Sequence, residues 1–375
     1  MKADLLKKDI LKKAIRREWI EEGGLRTGFH KIQKGALTLR LANVWGFCYG
    51  VLYAIEAVSE TLDKFTGRKV YVLGDLIHNP HVNGELQKRG AIFIDPDEID
   101  HVEPDAVVVV PAFGTRKDIF QKIRAKQMVT IDTTCPEVKT VEEEVSRFNA
   151  VGFTAVIHGK FEHQESIATS SFAKHYLIIR DKAESEKVCR FIRGQESRVS
   201  LIDAFARASS KGFDPEIHLK RIGMANQTTM LMNESMQIFE MFREAVRDRD
   251  GHTENFSAMK TICSATQDRQ DAVSTLAKSE PIDLFIDVGG HSSSNTRNLA
   301  ITAHQNSGVP VYHIERADSF TRDSITYLPI DQANPVTKPQ WLPGGGRAVT
   351  VGLTAGASTP HSELELVIQK LLSFY

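Results

Sequence analysis

The stretch Val129-Thr130-Ile131-Asp132-Thr133-Thr134-Cys135-Pro136-Glu137-Val138 is an apolar, β-branched run that breaks into a helical pattern, with a cysteine at the break. The run reads as a short buried strand, and Pro136 suits the first turn of the helix that follows. The arrangement recurs in Leu41-Ala42-Asn43-Val44-Trp45-Gly46-Phe47-Cys48-Tyr49-Gly50 and in Lys260-Thr261-Ile262-Cys263-Ser264-Ala265-Thr266. The three cysteines are widely spaced along the chain, so each is expected to top its own αβ unit.

Outward from these stretches, short apolar runs alternate with amphipathic patterns almost to the C-terminus, which predicts mostly parallel sheets flanked by helices. Strands are expected at 37–41, 70–73, 106–110, 129–131, 155–157, 176–179, 222–225, 284–288, 311–314 and 349–353, and helices at 51–65, 137–148, 234–246 and 363–374. The fold class is α/β, with three similar αβ lobes. The expected division is an N-terminal extension (1–36), lobes at 37–134, 135–262 and 263–345, and a C-terminal strand and helix (346–375) that return to the site. Residues 1–34 are charged and helix-prone with no strand pattern, and their amphipathic stretch reads as a surface helix. The polar stretch 193–220 reads as a connection or insertion, and 331–347 as a loop rich in Pro and Gly. Trp341-Leu342-Pro343-Gly344-Gly345-Gly346 precedes a strand instead of following one, so it is not a dinucleotide-binding turn.

Lys+Arg 47 against Asp+Glu 48 gives a net charge of −1, which provides no bulk attraction to nucleic acid or membrane. No apolar run approaches the length of a membrane span, and the start, Met1-Lys2-Ala3-Asp4-Leu5-Leu6-Lys7-Lys8, has no uninterrupted apolar core for a secretory signal. Four cysteines in 375 residues do not make a disulfide scaffold, which points to a reducing cytoplasm.

Carboxyl ends of parallel strands are where ligands bind in such sheets, and all three cysteines are expected there, each ahead of a helix N-terminus that favours thiolate. Any one of them alone would be read as a buried structural thiol. Zinc is an alternative, but structural zinc sites bring closely paired ligands, and no C-x₂-C occurs here. Widely separated single thiolates suit an iron–sulfur cluster better, and three where four are usual leave one iron open as a Lewis acid. Cys189, in Val188-Cys189-Arg190-Phe191, lies mid-helix without the turn and reads as a packing residue.

Polar groups follow other strands. In Ile157-His158-Gly159-Lys160-Phe161-Glu162-His163-Gln164-Glu165, an acid near a cluster could deliver protons and a histidine two residues away could orient it. Asn226-Gln227-Thr228-Thr229 and Ser292-Ser293-Ser294-Asn295-Thr296 are turns able either to hold phosphate at helix N-termini or to serve as plain caps. His78 and Ser358 occupy comparable positions.

Taken in order, these blocks resemble the LytB or IspH family of 4-hydroxy-3-methylbut-2-enyl diphosphate reductases. The matching blocks are Gly46-Phe47-Cys48-Tyr49-Gly50, His78-Asn79-Pro80, Thr133-Thr134-Cys135-Pro136, His163-Gln164-Glu165, Gln227-Thr228-Thr229, Cys263-Ser264-Ala265-Thr266, Ser293-Ser294-Asn295 and Thr354-Ala355-Gly356-Ala357-Ser358. The resemblance implies three αβ lobes around a central 4Fe–4S cluster held by Cys48, Cys135 and Cys263, with one iron open to substrate. It implies Glu165 as the proton-supplying acid, Thr228 and His163 as its relay and as substrate contacts, and His78, Ser293, Ser294, Asn295 and Ser358 as the diphosphate pocket. The reaction it implies is two-electron reductive dehydroxylation to isopentenyl and dimethylallyl diphosphates, the last step of the non-mevalonate (MEP) route, with electrons from a ferredoxin- or flavodoxin-type donor. Pro111-Ala112-Phe113-Gly114 stands where many bacterial members have Ala-His-Gly, whose histidine contacts diphosphate; this form resembles the plant and cyanobacterial branch and puts any diphosphate contact from 113 in question. Two other readings are a quinolinate synthase-like dehydratase, which would need sites for a dicarboxylate, and a non-catalytic cluster-binding redox sensor.

Overall fold

The computed structural model describes residues 29–279, 281–343 and 347–375. The extension before residue 29, with the surface helix expected there, and residues 344–346 of the expected C-terminal loop lie outside the described residues. The chain divides into two compact units: one holds the described residues up to Tyr49, His78–Pro80 and Ser264–Tyr375, and the other Gly50–Ile77 and His81–Cys263.

The first unit is built on a five-stranded sheet in the order His30–Lys34, Leu37–Leu41, Val349–Ala355, Leu284–Val288, Val311–Ile314. All neighbours are parallel except the first pair, a hairpin. The four parallel strands are buried almost throughout because both faces are covered, as parallel sheets require. Leu39, Ile286, Val351 and Leu353 meet Leu364, Val367 and Leu371 of the helix His361–Ser373 on one side. Phe285 meets Val273, Leu276, Leu299 and Ala303 of the helices Ser264–Ser279 and Ser294–Ser307 on the other.

Three expectations need correction here. The tract read as strandless up to residue 34 contains the strand His30–Lys34, which turns through Gly35-Ala36 to pair with Leu37–Leu41. Only Ile32 of that strand is buried, so it carries no alternation that a sequence scan would catch. The segment Leu37–Leu41, assigned to the first lobe, instead pairs with Val349–Ala355, Leu37 opposite Val349. Its burial fits either sheet, and its partner lies some three hundred residues away, beyond the reach of local pattern. The expected 331–347 loop contains the strand Val336–Pro339, paired antiparallel with Ser324–Tyr327. Trp341 is no phosphate-loop residue: it is buried against Tyr312 and Phe320, and its indole N–H donates to the Thr321 carbonyl at 2.9 Å.

The second unit carries two four-stranded sheets, each wholly parallel. One has the order Ala91–Ile94, Val70–Leu73, Val107–Val110, Val129–Asp132; the other Phe256–Ala258, Ile222–Asn226, Thr154–His158, Tyr176–Ile179. Ala91–Ile94 and Phe256–Ala258 are edge strands, mostly half-buried, and were not expected. The polar stretch 193–220 folds into two short helices, Arg198–Ala204, capped by Ser197, and Pro215–His218. Cys189 is fully buried inside the helix Lys182–Ile192, and burial pushes its thiol up to about 12. It is a packing residue, as expected.

Candidate functional site

Parallel strands place all their carboxyl ends at one edge of a sheet, where the helices that follow turn their N–H groups outward. In the first unit that edge gathers the expected anion-binding residues. Ser293 caps the helix Ser294–Ser307, its hydroxyl accepting from Thr296 N–H at 3.2 Å. Asn295 is held at both ends of its amide: Oδ1 accepts from Ala357 N–H at 2.9 Å, and Nδ2 donates to Thr266 Oγ1 at 3.2 Å. Ser358 donates to the His78 carbonyl at 3.1 Å, and Asn79 Nδ2 donates to the Ser358 carbonyl at 2.8 Å. The Ser294 hydroxyl is buried with no hydrogen-bond partner. His78, Ser293, Ser294, Asn295 and Ser358 thus lie within one compact unit, linked through Asn79 and the 355–359 loop. Cys48 belongs to the same unit, and its N–H donates to Ala357 O at 3.1 Å on that loop.

In the second unit, Glu165 lies in the first turn of the helix Gln164–Ser170 and is 1% exposed. Both of its oxygens are engaged by one residue: Thr228 N–H donates to Oε1 at 2.6 Å, and Thr228 Oγ donates to Oε2 at 2.9 Å. Burial outweighs those two donors and raises the carboxyl to about 7, so at neutral pH it is poised between acid and base. His163 is the helix N-cap: Nδ1 accepts from Glu165 N–H at 3.2 Å, which fixes the backbone of the acid and puts the ring proton on Nε2. Phe113 stacks edge-on against the His163 ring, with centroids 5.7 Å apart. The aromatic residue at 113 therefore props the cap. Gln227 ties the neighbouring loops, its Oε1 accepting from Lys160 N–H at 3.0 Å and from Ser166 Oγ at 3.2 Å.

Cys135 is the N-cap of the helix Pro136–Ala150 with Pro136 at its first position, Cys263 directly precedes Ser264–Ser279, and Cys48 directly precedes Tyr49–Lys64. Each is pinned through its backbone N–H: Cys135 to Ala112 O at 3.0 Å, Cys263 to Thr228 O at 3.0 Å, and Cys48 as above. None is in a disulfide, and all three are half-buried, unlike Cys189. Gly50 leaves room at Cys135, because a Cβ there would stand 2.7 Å from Cys135 Sγ. Each of the three thiols stands outside any disulfide at a helix N-terminus and is a soft donor of the type that iron–sulfur clusters take. Among the described residues, no group of three or more His, Cys, Asp or Glu is close enough to hold a single metal ion.

Sequence reasoning missed several supports. Thr266 and Asn79 lie inside blocks that were singled out, yet their roles depend on partners distant in sequence. Arg269, buried on a helix, donates to Gly46 O at 2.6 Å and Ala265 O at 2.8 Å, and a lone helical arginine gives no such signal. The backbone N–H of His291 donates to Glu315 Oε1 at 3.0 Å, and its ring stands edge-on to His313 at 5.0 Å.

Parallel α/β sheets carrying this cysteine, acid and hydroxyl pattern define a recognisable class: the LytB protein family model matches residues 39–372, and the chain belongs to that family. Curated relatives named 4-hydroxy-3-methylbut-2-enyl diphosphate reductase include that of Thermosynechococcus vestitus, 40% identical over 357 residues (93% of this chain, 88% of that protein). The Synechocystis protein of the same name is 38% identical over 357 residues, 93% of each chain. Among solved structures, the E-1-hydroxy-2-methyl-but-2-enyl-4-diphosphate reductase from Plasmodium falciparum superposes with a TM-score of 0.65 at 26% identity, covering 88% of this chain and 86% of that one. A second, described as the terminal enzyme of the non-mevalonate pathway, gives 0.53 at 26% identity over 89% of this chain and 98% of that one. No helix among the described residues is long and apolar enough to cross a membrane.

Proposed function

We propose that Glu165 is the proton donor, and Cys48, Cys135 and Cys263 the cluster ligands, in the reaction this oxidoreductase catalyses: reduction of 4-hydroxy-3-methylbut-2-enyl diphosphate to isopentenyl and dimethylallyl diphosphates. The change replaces C–OH by C–H, so it takes up two electrons and two protons and expels water. Hydroxide is a poor leaving group and must be protonated as it departs. A 4Fe–4S cluster on the three cysteines would supply the electrons, received from a ferredoxin- or flavodoxin-type donor, and an open iron as Lewis acid.

The chain's own residues do the rest. The observation that carries the reading is Glu165 itself: a buried carboxyl raised to about 7 and clamped at both oxygens by Thr228, so that it is protonated in a large fraction of molecules at neutral pH and cannot swing away. His163 holds its backbone, with the Nε2 proton directed elsewhere to substrate. The Ser294 hydroxyl, free of internal partners, is a donor for diphosphate together with Ser293, Asn295, Ser358 and His78. A helix N-terminus with neutral donors binds such an anion without a lysine or arginine clamp, so salt weakens substrate binding only modestly. Four cysteines with no disulfide among the described residues fit a reducing compartment, the cytoplasm.

Glu165→Gln tests the assignment, since it preserves shape and hydrogen bonding but cannot give up a proton. Expected are a full iron complement and loss of turnover by roughly a hundredfold or more. Near-normal turnover refutes the role.

A further inference from the structure

The reaction consumes two protons per turnover and Glu165 carries one. With only 1% of its surface exposed, Glu165 has almost no direct access to water from which to recover a proton. A second buried acid lies in the same unit. Glu142, on the helix Pro136–Ala150, is 8% exposed, and its Oε1 is buried without a hydrogen-bond partner. The carboxyl fills a gap that exists because residue 114 is glycine: a Cβ there would lie 2.6 Å from Glu142 Oε1, 3.4 Å from Thr134 Cγ2 and 3.6 Å from Ala168 Cβ. Ala168 is one turn along from Glu165 on the helix Gln164–Ser170, so the Glu142 carboxyl and the face of that helix carrying Glu165 border the same gap beside Gly114, and the two acids act on each other electrostatically.

The electrostatics agree with the geometry. Burial first, then the charge of Asp132, raise Glu142 to about 8; Glu165 and Glu143 add to this, and Lys139 opposes it. Those four are the charged groups that act on it most strongly among the described residues. Asp132 and Lys139 form an ion pair at 2.7 Å with side chains 34% and 45% exposed, so the chain of titratable groups reaches water.

We propose that Glu142 is a proton reserve for Glu165, a neutral acid that reloads it within each turnover. This deepens the role given to Glu165 above and rests on it. Glu165 gives its proton to the departing hydroxyl, which leaves as water. The Glu142 proton passes to the Glu165 carboxylate, directly or through one water, and Glu142 takes a proton from solvent at the Asp132–Lys139 edge. No electron moves in these transfers, and one proton enters from solvent for each one delivered. Glu142 is a positioning residue for the proton and has no contact with substrate in this scheme.

The test is Glu142→Gln in the cluster-loaded enzyme with a chemical reductant, followed against pH and against the concentration of imidazole, a small acid that can substitute for the missing one. Expected is a fall in turnover of about tenfold, less than the roughly hundredfold for an acid in contact with substrate, with iron content and KM unchanged and turnover rising with imidazole. Independently of turnover, the infrared spectrum of the variant should lack one protonated-carboxyl band that the parent loses on titration through about pH 8. Should Gln disturb folding, Glu142→Met fills the same space and should behave alike. Parent-like turnover with an unchanged pH profile and no imidazole dependence overturns the proposal, as does an unchanged carboxyl band. If Glu165→Gln is also active, the proposed role of Glu165 fails; if only the Glu142 variants are active, only the reserve fails.

Discussion

Thr228→Val separates the two donors that clamp Glu165. The substitution keeps the side-chain shape and the backbone N–H at 2.6 Å from Oε1, and deletes only the hydroxyl at 2.9 Å from Oε2. That hydroxyl donates to the ionised carboxylate and so favours the charged form; removing it must raise the pKa. A hydrogen bond to a charged group is worth about 1.5–3 kcal/mol, which at about 1.4 kcal/mol per unit corresponds to about one to two units. Glu165 should therefore move from about 7 to about 8–9. In the proposed role the acid must be protonated to act, so turnover should fall as pH rises through its pKa, and the alkaline limb of the pH–rate profile should shift upward by the same one to two units. Carbon-13 titration of labelled glutamate carboxyls gives the value without turnover. An alkaline limb that stays in place or moves down would refute the argument that Thr228 holds the charged form.

Three further predictions concern other parts of the molecule. Cys135→Ser should lose cluster iron after anaerobic purification, and a full iron complement would contradict ligation there. Ser294→Ala deletes a hydroxyl that makes no internal hydrogen bond, so stability should hold while KM for the diphosphate rises about tenfold, the equivalent of about 1.4 kcal/mol; an unchanged KM removes Ser294 from the pocket. Asp287 is fully buried, and burial raises its pKa well above the usual carboxylate range against the opposing effect of a backbone hydrogen bond at Ala300. A folded-state pKa above the unfolded one favours the fold at low pH, so this contribution is lost as pH rises from the unfolded value of about 3.9 through the folded value. Asp287→Asn should accordingly flatten the fall of melting temperature between acidic and alkaline pH, and an identical slope in the two proteins would show that Asp287 does not titrate.

The parts of the fold legible in sequence were those set by short-range pattern. The strands Val70–Leu73, Tyr176–Ile179, Leu284–Val288 and Val311–Ile314 are short runs that are apolar apart from Asp287 and His313, and they fall where the runs do. The helices starting after Cys48, Cys135 and Cys263 were signalled by turn residues and Pro136. Strand partnership was not legible: nothing local in Leu37–Leu41 says that it lies beside Val349–Ala355. Edge strands such as His30–Lys34 and Phe256–Ala258 were missed because solvent removes the apolar pattern from one side. At the site, chemical types were readable and their mutual contacts were not. His163 was expected to orient the acid group, but it caps the backbone, and Thr228 grips the carboxyl. Glu142 was invisible, one of three consecutive glutamates on a helix, until Gly114 and Ala168 showed where its side chain ends.

The hydrogen bond from Cys48 N–H to Ala357 O makes the fixing of a thiol and the ordering of the 355–359 loop, the proposed anion site, a single mechanical problem. Ser358 is the next residue along, so an anion that stills this loop also narrows the range of positions open to the Cys48 backbone. Free-energy coupling is reciprocal: whatever one occupant gains from the other's presence is returned in full. Diphosphate alone, even without its reducible tail, should then slow the stripping of metal from the thiol by chelators, and loss of the metal should loosen the grip on diphosphate. With Cys48 and Ser358 in the roles proposed above, inorganic pyrophosphate should act as a protectant as well as a competitor, and the protein should be most vulnerable to oxidation when its substrate is scarce.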